Sequence, residues 1–336
     1  MHYLVTGGLG VMGSLFAREL LLRGYDVTVL DPGGAPRHTT NLIGIHQALG
    51  EPTCGRLEVV EGSTDEDMGL MYGYRFDKII HAGASTGIPY SAESPDEDWN
   101  LNVDGTYEFL RWLRNQSNPP PTVILSSVKP YAVQENVPLT GQEPLEPDEP
   151  YAASKAAQSM LAMAWGRSYG LPVLTLRCSN LWGPAACHGP RHGWLTWFCI
   201  QAGLGRELEV QGTGNQARDM LWWTDVLNAV DKGHSSLEMG LVQPGDILTI
   251  GGGVKHMASV GQAARKLQAM TGCSIREAPE KRREHEDEWV CVDNTAADRA
   301  FKPLGGFDPL TGVEEGMRLL VEWAKEHKGE LEAVYG

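Results

Sequence analysis

Tyr151 and Lys155 stand four residues apart in the run Tyr-Ala-Ala-Ser-Lys. On a helix that spacing puts both side chains on one face. An ammonium beside a phenol stabilises the ionised phenol, whose ordinary pKa is about 10, and shifts it toward working pH. The pair is therefore predicted to transfer a proton. The glycine run Thr6-Gly7-Gly8-Leu9-Gly10-Val11-Met12-Gly13 begins almost at the first residue. A glycine loop that holds a dinucleotide supplies the other half of a redox step, a hydride.

Such chemistry needs elements that place it. His2 to Val5 reads as a short buried strand, and Ser14 to Arg23 continues from the glycines with helical spacing of Leu15, Phe16, Leu20 and Leu21. Strand, glycine turn and helix start in that order set backbone N–H groups and a positive helix end against a pyrophosphate, so Gly7, Gly10, Val11, Met12 and Gly13 are expected to hold the cofactor. A second strand, Asp26 to Leu30, ends at Asp31, an acidic residue suited to the ribose hydroxyls of NAD and repulsive to the extra phosphate of NADP. Arg37 nearby leaves NADP open, and a plain glycine turn with Asp31 as a loop cap is the alternative.

A chain of 336 residues with 42% hydrophobic content buries one large or two modest cores. Its formal charge of −15 and the lack of a long Lys/Arg run argue against nucleic acid and anionic membranes as partners. No apolar stretch approaches the ~18 residues needed to cross a bilayer, and the first strand occupies the place of a signal peptide, so a cytoplasmic location is expected. The six cysteines are scattered without a C-x-x-C pair. Neither a metal site nor a disulfide framework is expected; reduced core thiols are.

Further buried strands are predicted at Leu57 to Val60, Lys78 to His81 and Thr122 to Leu125, and strands also at Val173 to Arg177 and Asp246 to Ile250. Helices are predicted at Asp65 to Tyr72, Asp98 to Asn115, Tyr151 to Tyr169, Ser259 to Met270 and Gly312 to His327, with one more that follows Leu195 and runs to Gly205. The alternation requires an α/β fold of Rossmann type, a doubly wound parallel sheet with a smaller C-terminal substrate-binding region. Residues 1–180 are assigned to the dinucleotide-binding domain, with returns near 215–250, and residues 181–336 mainly to the substrate region.

Eight pieces in order give this chain a resemblance that spans nearly all of it: Thr6 to Gly13; Asp31; His81-Ala82-Gly83-Ala84; Asn102-Val103-Asp104-Gly105-Thr106; Ser126-Ser127 with Tyr131; Tyr151-x-x-x-Lys155; Arg177-x-x-Asn180-x-x-Gly183-Pro184; and Arg218-Asp219 followed by Asp225. It resembles the extended short-chain dehydrogenase/reductase family, the NAD-dependent nucleotide-sugar epimerases and dehydratases. The resemblance implies NAD as cofactor, with Ala82, Gly83, Ala84, Asn102, Ser63 and Thr64 adding to its site. It implies Ser127, Tyr151 and Lys155 as catalytic residues, Lys155 also holding the nicotinamide ribose. It implies a nucleotide-diphosphate sugar as substrate, met by Ser85, Ser127, Asn180 and Arg218, the last through its planar fork. Trp194 stacks on base or sugar, or is core; His188, Arg191 and His192 are loop polars or diphosphate contacts. Helices 98–115 and 151–169 correspond to those through which relatives form homodimers.

Where dehydratases of the family carry an Asp-Glu pair, this chain has Val128 and Lys129. An elimination needs an acid and a base beside the leaving hydroxyl, so classical dehydration is disfavoured. The pattern looks most like the CDP-paratose (CDP-tyvelose) 2-epimerase branch, with Lys129 as a polar group near the transient ketone or as a solvated loop lysine. The alternatives are a net dehydrogenase, reductase or atypical dehydratase on a nucleotide-linked or natural-product sugar, and a non-catalytic cofactor-sensing protein.

Overall fold

The computed structural model describes all residues except 49–53, 134–136, 188, 190–192 and 282–286. Strands β1 (His2–Thr6), β2 (Asp26–Asp31), β3 (Leu57–Glu61), β4 (Lys78–His81), β5 (Thr122–Ser127) and β6 (Val173–Cys178) follow one another through the first half. After β7 (Asn180–Trp182), β8 (Leu208–Gln211) and β9 (Ala217–Trp222) comes β10 (Asp246–Ile250), which returns to the first-half strands. The resulting seven-stranded sheet has the order β10-β6-β5-β4-β1-β2-β3, and every pairing in it is parallel.

Parallel strands covered on both faces must be apolar on both, and their residues alternate between two cores. Tyr3, Val5, Ile80, Val123 and Leu174 enter one cluster. Their neighbours Leu4, Ile79, Ile124 and Val173 enter the other. The helices supply the covers: α1 (Val11–Leu22), α2 (Pro36–Ala48), α3 (Ile88–Glu93), α4 (Pro95–Trp99), α5 (Gly105–Arg114) and α6 (Pro150–Tyr169), then α7 (Trp194–Gly203) and α8 (Trp223–Met239). Phe16, Leu20, Val226 and Val230, from α1 and α8, fill the first cluster; Phe109, Leu110, Leu113 and Ala162, from α5 and α6, fill the second.

The second half adds β11 (Met257–Ser259), α9 (Val260–Thr271), β12 (Ile275–Ala278), β13 (Trp289–Val290), α10 (Thr295–Ala300), α11 (Val313–Glu326) and α12 (Lys328–Tyr335). Here β9 pairs with β7, β11 and β13, while β8 pairs with β12. The expected return near 215–250 therefore divides: β10 joins the large sheet, whereas β9 lies in the small one.

Two expected helices differ. Residues 65–72 make only a short 3-10 turn, Met68–Met71, because the Asp67 carboxylate bonds back to the Ser63 N–H at 2.9 Å and closes a turn. The helix expected at 98–115 is built in three parts, with a π-helical turn at Asn100–Asp104 between α4 and α5. Among the described residues, no helix is long and apolar enough to cross a membrane. Five cysteines are buried and Cys54 is partly so, all as free thiols.

Candidate active site

In this sheet the strand order reverses between β1 and β4, and the crevice at such a switch point, beyond the carboxyl ends of the strands, is the ligand site of doubly wound folds. A cavity of about 1170 Å³ opens there. Asp31 at the end of β2, Ser127 at the end of β5 and Cys178 at the end of β6 all reach it.

The glycine loop crosses β4 at a distance that admits no side chain. A Cβ on Gly7, whose φ is 65°, would fall 2.6 Å from Gly83 Cα, and one on Gly13 would fall 2.2 Å from Gly7 O. Gly10 precedes α1 with no side-chain cap, which leaves first-turn N–H groups facing a cavity lined by Gly7, Gly10, Val11, Met12 and Gly13. That cradle fits a pyrophosphate. Asp31 is 4% exposed; its carboxylate accepts from the Leu9 N–H at 3.0 Å and the Gly33 N–H at 2.9 Å. His38 Nδ1, from α2, lies 3.5 Å from the same carboxylate. Ser63, Thr64, Ala82, Gly83 and Ala84 complete this end of the cavity. The side chain of Arg37 and residues His188, Arg191 and His192 lie outside the described residues.

Helix α6 carries the central pair. Pro150 starts it, and the Glu149 carboxylate caps it by accepting from the N–H groups of Tyr151 at 2.9 Å and Ala152 at 2.8 Å. Burial raises the Glu149 carboxyl pKa above its ordinary value. Tyr151 faces the cavity and shares a side-chain hydrogen bond with Ser127. The ammonium of Lys155 lies 6.0 Å from the centre of the Tyr151 ring. It donates to Gln158 Oε1 at 3.0 Å, a partner that the Tyr-Lys spacing did not reveal.

The expected lowering of the phenol is corrected in the chain taken alone. Burial raises the Tyr151 hydroxyl well above 10, with the Ser127 hydrogen bond acting in the opposite sense. Burial also pushes Lys155 down to about 8, against the pull of the Asp98 carboxylate. At both groups desolvation outweighs the contacts that favour the charged form. Cys178 beside them is pushed up to about 12 by burial, Lys155 acting the other way.

Asn102 is fully buried and does not line the cavity. It sits in the π turn, where its amide nitrogen donates to Ser154 Oγ at 2.9 Å and Asp98 Oδ1 at 3.2 Å. Ser85 does line the cavity, and its buried hydroxyl lacks a hydrogen-bond partner, a fit for a polar ligand group. Asn180, Trp194 and Arg218 line the far side. Trp194 packs edge-on against Phe198 with its indole N–H unpartnered, so it belongs to core and cavity wall together. Arg218 spends two N–H groups on protein carbonyls, Ala217 O at 2.8 Å and Asp287 O at 2.7 Å.

Lys129 is not a solvated loop lysine. Its side chain is 12% exposed, and its ammonium lies 3.3 Å from Asp148 Oδ1 and 3.1 Å from Asp287 Oδ2. All three residues line the cavity. Sequence reasoning missed both carboxylates; Asp148, three residues before Tyr151, carried a positional signal, whereas Asp287, 158 residues from Lys129, carried none. Among the described residues no cluster of three or more His, Cys, Asp or Glu could hold a metal ion.

Residues 3–250 match the family described as NAD dependent epimerase/dehydratase. Over 96% of its length the chain is 29% identical to dTDP-glucose 4,6-dehydratase of Xanthomonas campestris pv. campestris (strain B100), covering 92% of that protein. It is 23% identical to CDP-paratose 2-epimerase of Salmonella typhi, with 96% and 99% of the two chains covered. The crystal structure of a dTDP-glucose 4,6-dehydratase from Streptomyces venezuelae with NAD and TYD bound superposes with a TM-score of 0.81 at 27% identity, covering 98% of each chain.

Proposed function

The chain belongs to the NAD dependent epimerase/dehydratase family, and from that premise we propose that it is a nucleotide-sugar epimerase that oxidises a sugar carbinol to a ketone and reduces it from the other face. The observation that carries the reading is the convergence of Ser127, Tyr151 and Lys155 with the glycine cradle on one cavity. Bound NAD supplies the hydride acceptor and donor in this family. The residues of the chain do the rest. Ser127 orients the reacting hydroxyl, Tyr151 takes its proton and later returns it, and Lys155 holds the ribose and keeps the phenol acidic once a cationic ring lies near. Arg218 and Asn180 meet the diphosphate, and Ser85 a sugar hydroxyl. Lys129, beside Ser127, faces the ketone.

Val128, buried where an elimination would want an acid, favours epimerisation. A second reading is favoured by Asp148, whose carboxylate meets Lys129 at the cavity wall and offers a proton acceptor from an unexpected place: an atypical dehydratase, in keeping with the dehydratase relative. Incubation with a panel of UDP, CDP, GDP and dTDP sugars in deuterated buffer separates the two. An isomer of unchanged composition supports the epimerase; loss of water supports the dehydratase. Tyr151→Phe should cut turnover by at least ~10² with NAD still bound, and near-normal turnover in that variant refutes the proton-transfer role.

A homodimer is proposed as well. Trp99, Tyr107, Met160 and Tyr169 are exposed on α4, α5 and α6, where a second copy would cover them.

A further inference from the structure

Behind the cavity wall, an unbroken polar chain runs from Lys155 to the strand that feeds the glycine loop. Lys155 donates to Gln158 Oε1 at 3.0 Å, and Gln158 donates through Nε2 to Thr106 Oγ1 at 3.2 Å. The Thr106 hydroxyl donates to Asn102 O at 2.7 Å. The ring of His81 lies 3.4 Å from the same hydroxyl through Nε2 and 2.9 Å from Thr6 Oγ1 through Nδ1. Thr6 Oγ1 accepts from the Gly83 N–H at 3.1 Å. Thr6, His81, Thr106 and Gln158 are fully buried.

One placement of protons satisfies every group in this chain. Thr106 has one hydroxyl proton, which goes to Asn102 O, so its oxygen accepts from both Gln158 and His81. Burial, with the Lys155 charge, pushes His81 down to about 3. The ring is therefore neutral, with its proton on Nε2 and with Nδ1 accepting from Thr6. Gln158 must turn its nitrogen to Thr106, which leaves only its oxygen for Lys155.

We propose that Gln158 is the positioning residue of Lys155: its amide oxygen, locked in direction by Thr106, keeps the ammonium charged and fixed beside Tyr151. The role presupposes the Tyr151 and Lys155 pair proposed above. The other groups that face the ammonium are Tyr151 on α6, Asp98 on α4, Cys178 on β6 and His81 on β4. Asp98 accepts from Ser154 at 2.6 Å and from Asn102 at 3.2 Å. Among the described residues, Gln158 is the one side chain that bonds the ammonium directly. It takes one of three N–H donors and leaves two for ribose hydroxyls.

The test follows the titration of Lys155 in the full chain by NMR of ε-13C-labelled lysine, the resonance being identified by its loss in Lys155→Met. In Gln158→Met the proton affinity of Lys155 should fall at least about tenfold, because a buried charge loses its only direct acceptor. In Gln158→Glu it should rise. Circular dichroism checks the fold, and if the methionine variant does not fold, the glutamate variant decides alone. A Lys155 titration within about twofold of wild type in a folded variant overturns the proposal. An active Tyr151→Phe alongside shifted Lys155 titrations would instead sink the proton-transfer reading and leave Gln158 as the anchor of Lys155.

Discussion

Asp31→Asn tests the cofactor end of the cavity, where the structure gives each oxygen of the carboxylate a defined task. Both accept a backbone N–H, from Leu9 at 3.0 Å and Gly33 at 2.9 Å, and each retains a lone pair for a ribose hydroxyl. An amide replaces one acceptor with a donor, so one loop N–H meets another donor. That conflict costs about 1–3 kcal/mol of stability and should lower the midpoint of thermal unfolding. A ribose hydroxyl bonded to a neutral group in place of a charged one loses about 1 kcal/mol, a several-fold weaker grip on NAD. The effect on NADP has the opposite sign. A phosphate charge about 4 Å from a carboxylate is repelled by about 4 kcal/mol at an effective dielectric of about 20, a ceiling near 10³ in affinity that solvent screening reduces. The ratio of NADP to NAD dissociation constants, measured by isothermal titration calorimetry on folded protein, should therefore fall by at least about tenfold. A ratio within twofold of wild type would remove Asp31 from ribose recognition.

Other consequences follow from particular side chains. Burial raises Asp219 to about 6; a carboxyl whose folded pKa exceeds its unfolded value binds its proton more tightly when folded, so its stabilisation is complete below about 4 and lost as pH rises through about 6, roughly 3 kcal/mol in all. In Asp219→Asn that part of the pH dependence should vanish in denaturant titrations at pH 4.5 and 7, because Oδ2 holds Gly253 and Val292 while Oδ1 has no hydrogen-bond partner and an amide fits; an unchanged difference between the two pH values refutes the reading. Lys129→Met should lower turnover at least about tenfold while leaving the NAD dissociation constant unchanged, and full turnover would return Lys129 to a purely structural role. Tyr107→Glu, placing a charge on the exposed face of α5, should convert a dimer to monomers in sedimentation velocity, whereas an unaltered dimer would move the interface elsewhere.

The positions of the large-sheet strands and of the glycine turn were legible because both depend on local pattern. Apolar runs mark β1, β2 and β4 to β6, whereas β3, expected to be buried, lies at the sheet edge with Glu58, Val59 and Glu61 exposed; Gly7, Gly10 and Gly13 stand where backbones touch or a cradle opens. Helix α2 was not expected, yet Pro36 is its first helical residue, a place where proline is favoured. Nor was α12 expected after α11, although Tyr335 there both donates to Cys187 O and accepts from its N–H. The π turn at Asn100–Asp104 leaves no trace in a 3.6-residue pattern. It turns Asn102 toward Asp98 and Ser154, behind the cavity to which the family resemblance had assigned it.

Within the site, the separation in sequence decides what could be read. Gln158 follows Lys155 by three residues, on the same face of α6, and was in principle visible as an amide among alanines. Asp287 was not, because only the tertiary fold brings it to Lys129. Its position has a consequence for how the cavity works. The side chain of Asp287 bonds Lys129 beside Ser127, and its carbonyl accepts from Arg218. One residue therefore ties the group that would face the ketone to the group that would face the diphosphate.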